Sequence, residues 1–285
     1  INLCAGQAAL PPEVLERAAR EFVDTDGSGT SVAEMGYRTM PFHRIMERAE
    51  DSFRKLLDIP DTHEVHFFNG GATLQFSAIP LNLMGGENEG KAANYLMGGH
   101  WSEKASNEAK LFGDVNYVTK DPEGVYFSIP PVSEWNVDKD AAYFHYTSAD
   151  TRQGLEIRDF EFDGLPDGMP LICDASANLG SWPMDIARHD MVYAASHKNF
   201  SCAGICCKCA GVCQHSRGHL CVYMCTRDAL WRRGACAHSA GWVCWGKGGG
   251  GGCPLTKKYR YAKFNRPRFM IDAIIRKDLI SRKNQ

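Results

Sequence analysis

Two stretches near the start of the chain repeat apolar residues at helical spacing. Pro12-Glu13-Val14-Leu15-Glu16-Arg17-Ala18-Ala19-Arg20 opens with a proline in the first turn, where a helix tolerates one, and Pro41 to Leu57 sets Phe42, Ile45, Met46, Ala49, Phe53 and Leu56 on one face. Shorter, largely apolar runs follow at Val65-His66-Phe67-Phe68, Ala142-Tyr143-Phe144-His145-Tyr146, Pro170-Leu171-Ile172-Cys173 and Met191-Val192-Tyr193-Ala194-Ala195. Their length is that of buried strands. The first run breaks at Asn69-Gly70-Gly71-Ala72-Thr73, and apolar character returns in Leu74-Gln75-Phe76-Ser77-Ala78-Ile79. That order predicts a strand, a glycine-rich turn and a helix start. Strand and helix patterns alternate from Glu13 to about Lys198, so an α/β layer fold is expected. The chain has no internal repeat, and no apolar run reaches the roughly 18 residues that a membrane span needs.

Chemistry collects at the ends of the predicted strands. Asp174 closes the run that begins at Pro170, and Lys198 follows the run that ends at Ala195, within Ser196-His197-Lys198-Asn199, 24 residues further on. An acid and a lysine so placed suit pyridoxal phosphate, a cofactor whose aldehyde a lysine holds and whose ring nitrogen an acid holds. The amine must be deprotonated to attack the aldehyde, so it needs a partly dry pocket or a nearby cation to bring it below its ordinary value of about 10.4. The acid stays ionised and keeps the ring nitrogen protonated. A helix-capping aspartate and a lysine in an ordinary ion pair are the structural alternatives. Upstream, the turn at 69–73 offers backbone N–H groups and a helix N-terminus to a phosphate. Trp101, after Gly98-Gly99-His100, can stack on a flat cofactor or fill a core. Thr151, in Ser148-Ala149-Asp150-Thr151-Arg152-Gln153-Gly154, places a hydroxyl at a third strand end, where open α/β sheets gather their ligands.

These residues carry a family resemblance. Asn2-Leu3-Cys4-Ala5-Gly6-Gln7-Ala8-Ala9-Leu10-Pro11, then Gly70-Gly71-Ala72-Thr73-Leu74-Gln75-Phe76-Ser77-Ala78-Ile79-Pro80-Leu81-Asn82-Leu83, Gly99-His100-Trp101-Ser102 and Ser196-His197-Lys198-Asn199 resemble, in this order, the phosphoserine aminotransferases. The resemblance runs from residue 2 to about 205. It implies the large domain of a fold type I pyridoxal phosphate transferase, with a mixed, mostly parallel sheet flanked by helices. It also implies amino-group transfer between glutamate and 3-phosphohydroxypyruvate in serine biosynthesis, a homodimer, and a cytoplasmic enzyme with no metal, nucleic acid or membrane partner. By the same resemblance Lys198 holds the cofactor, Asp174 its ring nitrogen and Trp101 its ring face. Ala72 and Thr73 hold the phosphate, Thr151 and His197 contact the cofactor, and Arg38 receives an anionic substrate group. The family often has arginine at the position of Thr73, glutamine at that of His197 and histidine at that of Tyr37. Gln7 and Cys4 depart from its opening motif. The resemblance implies a small C-terminal domain as well, bearing an arginine for the substrate carboxylate, and nothing after residue 235 resembles it. A truncated homologue that binds cofactor without turnover is the alternative reading.

Composition then divides the chain. Residues 1–205 hold 16 Lys and Arg against 31 Asp and Glu, a net of −15, whereas 206–285 hold 16 against 3, a net of +13; together they give −2. Ten of the twelve cysteines fall between Cys202 and Cys253, and five glycines fill 248–252. The expected division is therefore a cofactor-binding domain over 1–205 and an atypical tail over 206–285. A zinc site on Cys206, Cys209, His215 and His219 is one explanation of the tail, but its spacing is shorter than a zinc finger's. A disulfide-rich secreted segment is another, at odds with a body that looks like a cytosolic enzyme. Sequence that selection did not shape, such as a retained intron or a frameshift, suits the clustered Cys, Trp, Arg and Gly best. Val222 to Leu230 looks like a return to the family, which makes 206–221 an insertion. Phe269 to Ile280 has the spacing of one amphipathic helix with a basic end. The first residue is isoleucine, so a fragment or processed product is expected.

Overall fold

The computed structural model describes residues 6–119, 126, 128–158 and 164–211. In chain order the strands are β1 (His63–Asn69), β2 (Ala93–Tyr95), β3 (Val115–Tyr117), β4 (Phe144–Thr147), β5 (Ala149–Asp150), β6 (Leu155–Glu156), β7 (Leu171–Asp174), β8 (Met191–Ala195) and β9 (Ile205–Gly211). Seven of them form one sheet in the order β1-β9-β8-β7-β4-β2-β3, and β5 pairs with β6 in a separate hairpin. From β8 to β3 every pairing is parallel, whereas β9 runs antiparallel to both β1 and β8.

Parallel strands are covered on both faces, so their sequences read as unbroken apolar runs and not as alternation. Every residue of β7 and of β8 is buried, which is why Pro170 to Cys173 and Met191 to Ala195 stand out in the sequence. The helices are α1 (Pro12–Val23), α2 (Met40–Leu57), α3 (Gly71–Leu83) and α4 (His100–Ala109). Helices α3 and α4 cover one face of the sheet, where Phe76, Ile79 and Ala105 pack with Tyr143, Ile172 and Tyr193. On the other face Phe53 of α2 packs with Phe144, Leu171, Val192 and Cys207.

The amphipathic patterns of α1 and α2 correctly predict helices, but their apolar faces are poorly covered. Among the described residues α1 buries nothing and α2 buries Phe53; Val23 is 77% exposed and Leu56 is 66% exposed. Pattern dictates the helix, and only a packed neighbour buries it.

The sheet continues beyond the composition change at residue 205. Strand β9 occupies residues 205–211 between two partners, its Cys207 facing Phe67 on one side and Ala194 on the other. Side chains alternate along a strand, so Cys206 enters the core beneath α3 and α4 while Cys209 enters the opposite core. Residues three apart on a strand face opposite ways, and this pair does not grip one metal ion as Cys-x-x-Cys pairs do. His215, His219, the 222–230 stretch and the 269–280 helix lie outside the described residues. No helix among the described residues is long and apolar enough to cross a membrane.

Candidate active site

Lys198 stands on a turn between β8 and β9. The turn is tied down locally: the Ser196 carbonyl accepts the Phe200 and Ser201 N–H groups at 2.9 and 2.8 Å, and the Ser196 hydroxyl donates to the Cys202 carbonyl at 2.6 Å. The Lys198 amine is half-buried. Loss of water lowers its pKa from the ordinary lysine value, and the charges of Asp174 and Asp150 oppose the shift. Asp174 ends β7 and is 2% exposed. Burial raises its carboxyl, while the Ser176 hydroxyl and N–H, the Lys198 charge and the Tyr193 hydroxyl act to keep it ionised. Ser176 donates to Oδ1 at 2.6 Å from its hydroxyl and at 3.0 Å from its N–H. Lys198 and Asp174 feel each other's charge without forming an ion pair, so a gap separates them.

Trp101 lies in the first turn of α4. Its N–H donates to Asp150 Oδ2 at 2.8 Å, its indole Nε1 donates to the Thr151 hydroxyl at 3.2 Å, and the Lys198 Nζ lies 5.6 Å from the ring centroid. Asp150 also accepts from the Arg152 and Gln153 N–H groups at 2.8 and 3.3 Å, so one carboxylate organises both the loop that carries Thr151 and the helix that carries Trp101. Gly99 makes this possible. Its φ is 153°, and a Cβ there would lie 2.5 Å from Asp150 Oδ2.

The glycine turn before α3 is tied to the β8–β9 connection through the Gly70 N–H, which donates to the Gly204 carbonyl at 2.9 Å. Gly70 has φ 104°, and a Cβ there would meet Leu74 at 2.7 Å. No side chain caps α3, and the space beside Gly71 is open. Ala72 packs partly against the core, and Thr73 is exposed. His197 is half-buried next to Lys198, with its imidazole lowered by burial and then by the lysine charge; its carbonyl accepts the Ala8 N–H at 3.0 Å, docking the N-terminal segment here. Arg38 is exposed in the loop between α1 and α2, with its guanidinium 5.0 Å over the neighbouring Tyr37 ring, and among the described residues no hydrogen bond or ion pair joins it to the Lys198 cluster.

A cleft of about 550 Å³ lined by Asp26, Met35, Arg44, Arg48 and Asp51 lies elsewhere, on α2. The shifted lysine and aspartate belong to the strand ends instead, and we place the site there. Sequence reasoning left Asp150, Ser176, Tyr193 and Thr147 without roles. Ser176 was within reach, since a serine two residues after an aspartate is a local turn signal. Asp150 was not, because its Trp101 partner is 49 residues away. Thr147 lies beside Asp174 in the β4–β7 register, and its buried hydroxyl has no hydrogen-bond partner.

These features fit pyridoxal phosphate. An amine with a lowered pKa, a buried carboxylate across a gap, an indole beside the amine, an unsatisfied hydroxyl and an uncapped helix start are the donors and surfaces that its aldehyde, ring and phosphate require.

Comparison with known proteins agrees. The family model "Aminotransferase class-V" matches residues 1–210. The phosphoserine aminotransferase of Acinetobacter baumannii is 45% identical over 209 residues, which are 72% of this chain and 55% of that protein. Among solved structures, the pyridoxal phosphate-bound phosphoserine aminotransferase from Trichomonas vaginalis is 37% identical with a TM-score of 0.67, over 74% of this chain and 57% of that one. The phosphoserine aminotransferase from Bacillus circulans subsp. alkalophilus is 38% identical with a TM-score of 0.65, over 74% and 56%. The chain spans about half the length of the curated relatives it matches.

Proposed function

This chain belongs to the class-V aminotransferase family, and on that premise we propose that it carries the cofactor-binding part of a phosphoserine aminotransferase, moving an amino group between glutamate and 3-phosphohydroxypyruvate. The observation that carries the reading is the placement of the half-buried Lys198 amine beside Trp101 and across a gap from the buried Asp174 carboxylate. Pyridoxal 5'-phosphate, when bound, supplies an aldehyde for the lysine and an electron-poor ring that draws charge from the substrate α-carbon.

Each side chain then has a task. Lys198 would hold the aldehyde carbon and, as the free amine, would carry a proton between the substrate α-carbon and that aldehyde carbon, the shift that amino-group transfer requires. Its lowered pKa raises the neutral fraction that can do so. Asp174 stays ionised and holds the ring nitrogen. Trp101 covers one ring face and excludes water, with its indole steadied by Thr151. The Ala72 and Thr73 N–H groups with the Thr73 hydroxyl receive the phosphate at the α3 start. His197 and Thr151 contact the cofactor from the lysine turn and from the loop after β5. Arg38 takes the anionic substrate group on family resemblance alone. The apolar residues exposed on α1 and α2 support a homodimer. A cytoplasmic setting rests on the family resemblance alone.

The test is to load residues 1–285 with pyridoxal phosphate, reduce with borohydride, digest, and locate the pyridoxyl group. It is expected on Lys198, and Lys198→Ala is expected to lose the visible absorbance; a label on another lysine rejects the assignment. Cofactor bound at Lys198 with no glutamate-dependent turnover would favour the second reading, that residues 1–285 taken alone bind cofactor without catalysis. The 55% coverage of the relative's length is what speaks for it.

A further inference from the structure

Among the described residues, buried side-chain atoms without a hydrogen-bond partner occur on Gln75, His145 and Thr147. Gln75 lies within α3 and His145 stands two residues back along β4, whereas Thr147 closes β4 where the strands end and the site begins. A buried hydroxyl left unpaired lowers stability. Ser148, the next residue, donates its own hydroxyl to Asn178 Oδ1 at 2.5 Å, so the protein satisfies that side chain and leaves Thr147 unserved.

Register and alternation fix what surrounds Thr147. It pairs with Asp174, Asp174 with Tyr193 and Tyr193 with Lys208, so the four residues form one row across β4, β7, β8 and β9. Tyr143 and Ile172 pack in the core beneath α3 and α4, and Thr147 and Asp174 lie four and two residues further along those runs, on the same face. Trp101 packs against that core as well, and the Lys198 Nζ lies 5.6 Å from its ring centroid. The other members of the row have neighbours of their own. Asp174 Oδ1 takes both the Ser176 hydroxyl and the Ser176 N–H, the Tyr193 hydroxyl lies 2.9 Å from His145 Nε2, and Lys208, which is 1% exposed, sets its Nζ 6.0 Å from the Phe68 ring centroid.

Two donors on Oδ1 leave the other Asp174 oxygen for a cofactor ring nitrogen, and Thr147 is the hydroxyl next to it in the row. A hydroxyl both donates and accepts, so it suits either the carboxylate oxygen or the ring N–H. We propose that Thr147 is a further cofactor-binding residue, its hydroxyl taking a hydrogen bond at the ring-nitrogen end of pyridoxal phosphate beside Asp174. The proposal rests on the reading of Asp174 as the partner of that nitrogen. The fold alone gives the hydroxyl no task that a methyl group would not serve as well.

The test measures cofactor affinity by equilibrium dialysis and stability by urea unfolding without cofactor, both on residues 1–285. Thr147→Val, which exchanges the hydroxyl for a methyl group, is expected to weaken pyridoxal phosphate binding about tenfold, the scale of one hydrogen bond to a charged group, while the urea midpoint holds or rises. Thr147→Ser keeps the hydroxyl and should restore the affinity. The cofactor analogue with C–H in place of the ring nitrogen should bind the wild-type chain and Thr147→Val alike. If Thr147→Val does not fold, Thr147→Ala against Thr147→Ser decides in the same way. A lower urea midpoint alongside the lost affinity would mark Thr147 as structural and overturn the proposal. Equal affinities of the two chains for pyridoxal phosphate, or an equal loss for cofactor and analogue, would overturn it too, and cofactor found on Lys198 would still leave the proposed function standing. If the wild-type chain takes up neither ligand, the reading of the site falls and the proposal falls with it.

Discussion

Gly99 leaves open the space that Asp150 occupies, and through Asp150 it sets the direction of Trp101. Gly99→Ala should displace that carboxylate and cost about 1–3 kcal/mol, read as a lower urea midpoint. Titration supplies a second check. Burial lowers the pKa of His66, His145, His189 and His197. For such a group the unfolded chain takes up the proton first as pH falls, so its contribution is complete above the unfolded value of about 6.5 and is lost on the way down, at up to ~1.4 kcal/mol per pH unit. For His145 the loss runs on to about 3. Asp174 works in the opposite sense, because its raised carboxyl binds a proton more readily when folded. Stability to urea should therefore fall between about pH 7 and pH 5, with a shallower slope in His145→Phe. Lys198 and Asp174 were legible in the sequence because each sits at the end of an apolar run. Asp150 and His145 were not, since their partners come from other elements.

Strand β9 depends on both its neighbours. It is antiparallel to β1 and to β8, so its amides serve ladders on both sides, and proline at a central position removes a donor and clashes with the pleat. Cys207→Pro should cost more than about 3 kcal/mol and deplete soluble protein, as measured by the soluble fraction after expression. The parallel strands were readable because burial on both faces imposes an unbroken apolar run. β9 was not, because cysteines and Lys208, which is 1% exposed, gave it the composition of the segment that follows. Helix α3 shows the same limit: its glycine turn and apolar run predicted a helix start, but only packing against the sheet explains why Gln75 and Pro80 are buried within it.

Across the molecule, exposed apolar residues gather on the first two helices: Val14, Leu15, Phe22 and Val23 on α1, and Met40 and Leu56 on α2. An apolar surface of this kind promotes association. Residues 1–285 should scatter light increasingly with concentration, and the double change Leu15→Glu with Phe22→Glu should reduce the scattering without lowering the urea midpoint, because neither side chain is buried here. The sequence by itself determined that β1, β4, β7 and β8 are strands and that α1, α2 and the start of α3 are helical, and that an acid ends one strand and a lysine follows another, because local periodicity and burial on both faces leave a mark on consecutive residues. Tertiary structure decided what those ends meet. The gap between Lys198 and Asp174, the Asp150 support under Trp101 and the His145 and Tyr193 contact all depend on strand order and register, and these are set by contacts between residues far apart in the chain.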